Sequence, residues 1–227
     1  MPNICDFNMR VLGRAQDVDF FVEELNQDYC YDENGMCKEV SGNKRHFCRV
    51  FEAHTTNLNY NSVDIGNGVF VELKEVEILG NCAWSVAGCM CGGEYSYYSQ
   101  LREKYGNRSR ATTLAFETTR LNLIVELYSE ESGCGFSEHM LYVNGVEKVS
   151  ECVEYYERCY DEEDEELDEP IVEGGFGDWD YTEDYDKELA QVIYSKYGKK
   201  CARTFEEYEE LAKIIYPKHD KIEEYGE

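Results

Sequence analysis

Apolar residues alternate with polar ones in some stretches of this chain and recur at helical spacing in others. The clearest pattern runs from Leu123 to Asn144, LIVELYSEESGCGFSEHMLYVN. Leu123, Val125 and Leu127 alternate on one side of a turn, and Phe136, Met140 and Tyr142 recur on the other. Period-two alternation around a glycine-containing connection predicts a β-hairpin with one buried face. Gly133 and Gly135 supply the backbone freedom of its turn.

Upstream, Cys5, Phe7, Met9 and Val11 alternate with polar residues in a strand that ends at Gly13. Val18, Phe21, Val22 and Leu25 then share one face of a helix over about residues 16–26. Asp17 and Asp19 lie in its first turn, where the helix dipole favours negative charge. Residues 28–45 are polar, with Asn34-Gly35 and Ser41-Gly42 as turn signals. Residues 46–58 are apolar on both faces of an extended pattern, which predicts an interior strand. Another strand or strand pair spans 69–84, with Gly80-Asn81 marking a bulge or bend. Thr113 caps a helix carrying Leu114, Thr118 and Leu121. Asn144-Gly145 makes a tight turn into a strand over Val146 to Tyr160.

The order strand, helix, strands, helix, strands is α+β. Its simplest arrangement over residues 1–160 is a ferredoxin-like, split βαβ antiparallel sheet with helices on one face. Residues 161–186 read as an acidic aromatic segment docking on that domain or linking from it, and 187–227 as a helical pair. The first terminal helix presents Leu189, Val192, Ile193 and Tyr197 and stops at Gly198. The second opens with a capping box, Thr204 to Glu207, and carries Phe205, Tyr208, Leu211, Ala212 and Ile215 until Pro217. Residues 1–160 are expected to fold without this tail.

Charge changes the picture most. The chain has 48 acids against 22 Lys and Arg, a net charge of -26. That argues against nucleic acid as a ligand, since such binding rests on cations neutralising phosphates. From Glu151 to Glu188 there are eighteen acids against Arg158 and Lys187. The centre of this window, DEEDEELDEP, is a self-repelling run of the kind that stays solvated as a linker. GGFGDWDY, which follows at 174–181, has the glycines and rings to lie against a sheet.

Eleven cysteines at irregular spacing, with no CxxC and with Cys89 and Cys91 too close for a zinc knuckle, read as reduced core thiols. No metal or cofactor is expected. No run of 18 apolar residues exists, and the N-terminus lacks the layout of a signal peptide, so a soluble intracellular protein without membrane contact is expected.

Glu130, Glu131, Glu138 and His139 suggest a divalent cation, but neighbours on a strand face opposite ways, and an exposed acidic turn is preferred. Cys134 and His139 are a nucleophile and base only if held in contact, which nothing in the sequence fixes. Tyr97, Tyr98, Arg102, Lys104, Arg108 and Arg110 form the one locally basic, Tyr-rich stretch, within 95–110. It is the candidate for an RNA- or nucleotide-binding module.

Four pieces together resemble a known family: MPN before a strand ending in Gly13, NCAWSV at 81–86, YSEESGCGFSEH at 128–139, and GGFGDWD at 174–180. They are similar to the YubB-type proteins of phages and plasmids, a family with a ferredoxin-like domain. The resemblance covers all but the terminal helical pair. It implies carriage on a mobile element, hence the cytoplasm of a bacterial host cell, and it supplies no catalytic residues.

Mobile-element carriage and an acidic, aromatic segment lead to one expectation: a non-catalytic mimic of nucleic acid. Its partner would be a basic host protein such as a CRISPR effector or another nuclease, and the chain an anti-CRISPR or other anti-defence inhibitor. Asp161, Glu162, Glu163, Asp164, Glu165, Glu166, Asp168 and Glu169 supply charge, and Trp179, Tyr181 and Tyr185 act as aromatic anchors. Oligomeric state is left open.

Overall fold

The first strand, β1 (Ile4–Arg14), lies inside the sheet, hydrogen-bonded on both edges and covered on both faces. The computed structural model describes residues 3–26, 30–31, 37–38, 45–160, 166–177, 179–182 and 185–216. The turn signals Asn34-Gly35 and Ser41-Gly42, and Pro217, lie outside these residues. A short pair, β2 (Cys30–Tyr31) and β3 (Cys37–Lys38), stands as its own two-stranded sheet. The main sheet adds β4 (Val50–Asp64), β5 (Phe70–Ala83), β6 (Ile124–Glu131), β7 (Phe136–Val143), β8 (Val146–Tyr160) and β9 (Glu166–Gly174). Its order is β4-β5-β1-β6-β7-β8-β9, and every neighbouring pair is antiparallel. The fold is therefore mixed α+β around a seven-stranded antiparallel sheet.

Alternation along the strands sorts side chains onto two faces. Cys5, Phe7, Met9 and Val11 of β1 join Val76 and Ile78 of β5, Val125 and Leu127 of β6, and Met140 and Tyr142 of β7. Helices α1 (Ala15–Leu25), α2 (Val86–Met90) and α4 (Leu114–Leu121) cover this first face, with Val18, Phe21, Leu25, Val86, Leu114 and Leu121 buried. Helix α3 (Tyr97–Tyr105) buries none of its residues fully and lays Tyr97 against the same cluster.

The second face is equally covered, which corrects the expectation of helices on one face and a hairpin buried on one side. Leu12, Ile124, Leu141 and Val143, with Val63, Val71 and Leu73, meet α5 (Tyr185–Ile193) and α7 (Phe205–Ile215) in one apolar cluster. Tyr208 of α7 is fully buried there. Burying each such side chain contributes about 1.5–3 kcal/mol. The terminal pair therefore shares a core with the sheet, in contrast to the expectation that residues 1–160 stand alone.

Local chemistry explains several boundaries. Thr113 accepts from Phe116 N to cap α4, and Thr204 with Glu207 forms the reciprocal box that opens α7. Asn144 (φ 45°) and Gly145 (φ 82°) both adopt the left-handed backbone that a two-residue hairpin turn requires. Gly198 does not stop a helix. After Ile193 the chain takes a π-helical turn over 194–198 into α6 (Lys199–Cys201), and Ala202, at φ 53°, ends it.

The expected interior strand at 46–58 is the edge strand β4, because the buried Phe47 and Cys48 precede it rather than belong to it. No bulge occurs in β5 at Gly80. The β1–β5 register runs unbroken through Phe7 opposite Gly80, where a Cβ would lie 2.5 Å from Phe7 Cζ and 2.5 Å from Glu52 O. The irregularities fall instead in β4, between Val50 and Glu52 and between Asn57 and Asn59.

The acidic window is not a structureless linker. Strand β8 pairs with β7 from Val146 to Glu154, then with β9 from Tyr155 to Tyr160. Beyond Glu154 the two strands pair only with each other, as a ribbon at the end of the sheet.

Candidate functional site

Carboxylates in this chain fall into two populations, and the first is structural. Glu126 of β6 is wholly buried on the second face. Its Oε1 lies 2.8 Å from His139 Nε2, its carboxylate accepts from Thr182 N (3.1 Å), and Tyr185 donates its hydroxyl to Oε2. Burial first, and Glu126 next, push the Tyr185 hydroxyl well above its ordinary range. Arg10 lies opposite Glu126 in the β1–β6 register, 3.9 Å from Glu75, and its guanidinium stacks 4.2 Å from the Tyr181 ring centroid. Asn59 Nδ2 donates to Glu75 at 2.6 Å. A buried charge left unpaired is costly, and these acids are accordingly paired.

Two of the hairpin acids, Glu131 and Glu138, are likewise buried and engaged rather than part of an exposed turn. Glu138 is buried on the first face, where it accepts from Ser129 Oγ (2.9 Å), Val86 N (2.8 Å) and Ala87 N (3.3 Å) at the start of α2. Burial pushes its carboxyl up, and those three bonds oppose the shift. Glu131, also buried, accepts from Cys134 N inside the turn. Glu130 and His139 face the other side, so the four hairpin residues do not converge. Among the described residues no group of three or more His, Cys, Asp or Glu has metal-holding geometry. Cys134 is exposed and accepts from Asn3 Nδ2, whereas His139 Nε2 is committed to Glu126, so the two do not act as a pair.

Aromatic residues join this buried network to the ribbon. Tyr128 stacks on His139 with centroids 4.1 Å apart and 3° between planes. Trp179 stacks on Tyr128 at 5.9 Å, and Phe176 and Tyr181 meet it edge-on at 5.8 and 5.3 Å. Tyr128 OH donates to Asp180 O (2.8 Å) and Tyr181 OH to Asn8 Oδ1 (2.7 Å). Residues 176 and 179–182 are thus fixed to the sheet. Of the three expected aromatic anchors, Tyr185 is 7% exposed and bonded to Glu126, and Tyr181 is held between Arg10 and Asn8. These two rings serve the fold and are corrected as partner contacts. Trp179 remains half-buried beside the ribbon.

The second population of carboxylates belongs to the ribbon. Glu151, Glu154, Glu157 and Glu173 are exposed, as are Tyr156, Tyr160, Ile171 and Val172. These apolar ribbon residues were not anticipated; the alternation after Val149 hinted at them, but the charge run obscured it. Asp161, Glu162, Glu163, Asp164 and Glu165 lie outside the described residues. Glu166, Asp168 and Glu169 are placed in β9 by their backbone alone. At the ribbon's root Asp6 stands opposite Glu130, and Glu157 is close to both. Burial and then Glu157 push the Asp6 carboxyl up. Burial leads for Glu130 too, with Glu157 and Asp6 adding to it and the nearby polar groups of Tyr155 and Trp179 opposing it. Among the described residues, none of these three acids is ion-paired with a Lys or Arg.

The basic stretch forms α3 and the turn after it, beside α2. Arg49 Nη1 donates to Tyr97 OH (2.9 Å) and its guanidinium lies 4.7 Å from that ring's centroid. Arg102 reaches Asn107, Lys104 lies over Tyr105, Tyr98 is half-buried and Arg110 exposed; the side chain of Arg108 lies outside the described residues. Nearby, Arg49 (φ 57°) and the 43% exposed Trp84 (φ 70°) both take left-handed backbone, and Ala83 N donates to Arg49 O between them.

Of the described cysteines, Cys5, Cys48, Cys82, Cys89 and Cys201 are buried and Cys134, Cys152 and Cys159 exposed, all as free thiols. No helix among the described residues is long and apolar enough to cross a membrane. No family model, curated protein or solved structure matches the chain.

Proposed function

We propose that this chain is a non-catalytic binding protein whose acidic β8–β9 ribbon enters a basic, nucleic-acid-binding surface of a host protein. One observation carries the reading: among the described residues the three root acids Asp6, Glu130 and Glu157 have no Lys or Arg partner, while Glu126, Glu131 and Glu138 are each engaged in the interior. Unpaired carboxylates close enough to raise one another's proton affinity gain most from an incoming Arg or Lys. Duplex DNA carries about one charge per 1.7 Å of axis, and a carboxylate-dense strand pair offers a comparable charge density. Tyr156, Tyr160 and Trp179 add flat surfaces on which guanidinium groups stack.

The most concrete form of this proposal is an anti-CRISPR or related anti-defence inhibitor carried by a phage or plasmid. The resemblance to YubB-type proteins supports that lineage. We read the first part of the chain as their ferredoxin-like unit, supported by the order β4-β5-β1-β6 with α1 and α4 in its two crossovers. Strands β7 to β9 and the terminal helices are additions to that unit.

A cleavage assay with a guide-loaded CRISPR nuclease tests the function. Inhibition should be relieved by excess DNA and lost when Asp161 to Glu166 become Ser and Asn. Undiminished inhibition by that variant rejects mimicry. A second reading rests on the Arg49–Tyr97 stack beside Arg102 and Arg110, which suits a base and its phosphate. Direct RNA binding that Arg49→Ala abolishes would favour it.

A further inference from the structure

Of the sheet's two edges, β9 is acidic and β4 is not. We propose that β4 is a self-association edge, through which two copies of the chain pair antiparallel into one continuous sheet. Being last in the strand order, β4 has no second strand along its outer edge over 53–57 among the described residues. From His54 to Leu58 five consecutive residues are exposed, so this part of the strand is open on both faces as well as along its edge.

Its composition points to the occupant. Edge strands are normally protected by Lys, Pro or other charges. Ala53 to Val63, AHTTNLNYNSV, contains no Asp, Glu, Lys, Arg or Pro, in a chain of which 31% is charged. Two molecules of net charge -26 repel almost wherever they meet. Repulsion is least where both surfaces are uncharged, and β4 against β4 is such a contact. The other edge, β9, carries Glu166, Asp168, Glu169, Glu173 and Pro170, which oppose self-pairing and suit a basic partner instead. A foreign basic strand would therefore choose β9, and a second copy β4.

Geometry limits the contact to a closed pair. The irregularity between Asn57 and Asn59 takes Leu58 out of the ladder, so the straight run before it, centred on Thr55 and Thr56, is the pairing segment. Antiparallel pairing about a two-fold axis sets Thr against Thr, a favourable cross-strand combination. Exposed rings adjoin the same edge: Tyr60 (57% exposed) lies opposite Lys74, whose Nζ is 2.8 Å from Asp19, the neighbour of exposed Phe20 on α1. Phe70, 66% exposed, pairs with Asp64 further along.

Sedimentation equilibrium of the full chain under reducing conditions, across a wide concentration range, is the test. The mass should rise from 26.4 kDa towards twice that value. Added salt should strengthen the dimer by screening repulsion, the opposite of its effect on partner binding. Thr55→Glu with Thr56→Glu should weaken association at least tenfold, while Val172→Glu on β9 leaves it unchanged. Should the double variant misfold, hydrogen exchange of the parent decides: amides in 54–57 should slow with concentration. A mass of 26.4 kDa throughout, a dimer indifferent to the β4 substitutions, or exchange at 54–57 independent of concentration overturns the proposal.

Discussion

The acids around Glu126 and those of the β8–β9 ribbon share a chemistry and differ in everything else. Glu126 sits in the interior with an imidazole, a phenol and a backbone amide directed at it. The ribbon's root acids lie close to one another near the solvent, with no Lys or Arg paired to them among the described residues. Net charge alone does not distinguish these groups. The first holds Thr182 and Tyr185 to the sheet. The second is free to bind, and the difference lies in the partners that each position finds.

Removing the partners should have the largest effect. Cutting the chain after Tyr160 strips Thr182 and Tyr185 from Glu126 and uncovers Leu12, Ile124, Leu141 and Val143. The truncated chain should show no cooperative thermal transition. A sharp transition would return the terminal helices to the status of an independent appendage.

Next comes Glu126→Leu, which takes this acceptor from the part-buried Thr182 amide and the buried Tyr185 hydroxyl. Each such group costs about 1–3 kcal/mol, so denaturant unfolding should show a loss of about 3 kcal/mol. Near-neutral behaviour would mean that the network adds little to stability.

Smaller still is the effect of pH at Glu24. Burial, then Glu117, raise its carboxyl from 4.5 to about 7, despite Arg120 Nη2 at 2.8 Å. Between those values the folded state holds more protons than the unfolded one, so this group's contribution to stability falls as pH rises through that window. Glu24→Gln should flatten that decline, by on the order of 1 kcal/mol at pH 8. Chemical denaturation at pH 5 and pH 8 reads the difference, and an unchanged slope contradicts the assignment.

Replacing Asp161 to Glu166 by Ser and Asn should leave stability within about 0.5 kcal/mol. Thermal unfolding checks this. A large change would place those acids with the structural set.

What could be read from the chain follows from how local each signal is. Thr204 and Glu207 announce α7 because a capping box is complete within one turn, and Asn144-Gly145 announces its hairpin for the same reason. Strand β9 was hidden because Pro170 and its acids disfavour a strand, whereas pairing with β8 is a tertiary matter. The second covered face was legible in principle. Ile124 and Val125, like Leu127 and Tyr128, are adjacent apolar residues, which a strand buried on one side does not need. Glu126 within IVELY was also a signal, an acid in the middle of an apolar run. Which group would neutralise it was not legible, since His139, Thr182 and Tyr185 come from other elements. In the expected site, Tyr181 and Tyr185 read as surface anchors only because the sheet face that absorbs them is built from distant strands.

The most direct test is the rate at which the chain associates with a guide-loaded CRISPR nuclease as ionic strength rises. If the ribbon is the binding element, the parent's association rate should fall steeply as screening shortens towards about 8 Å at physiological salt. The variant neutralised at Asp161 to Glu166 should start slower and lose most of that dependence, with dissociation little changed. Trp179→Ala should do the reverse, shortening the lifetime of the complex more than it slows association. Equal salt dependence in parent and neutralised variant would contradict the account, because it would place the charge that attracts the partner elsewhere on the molecule.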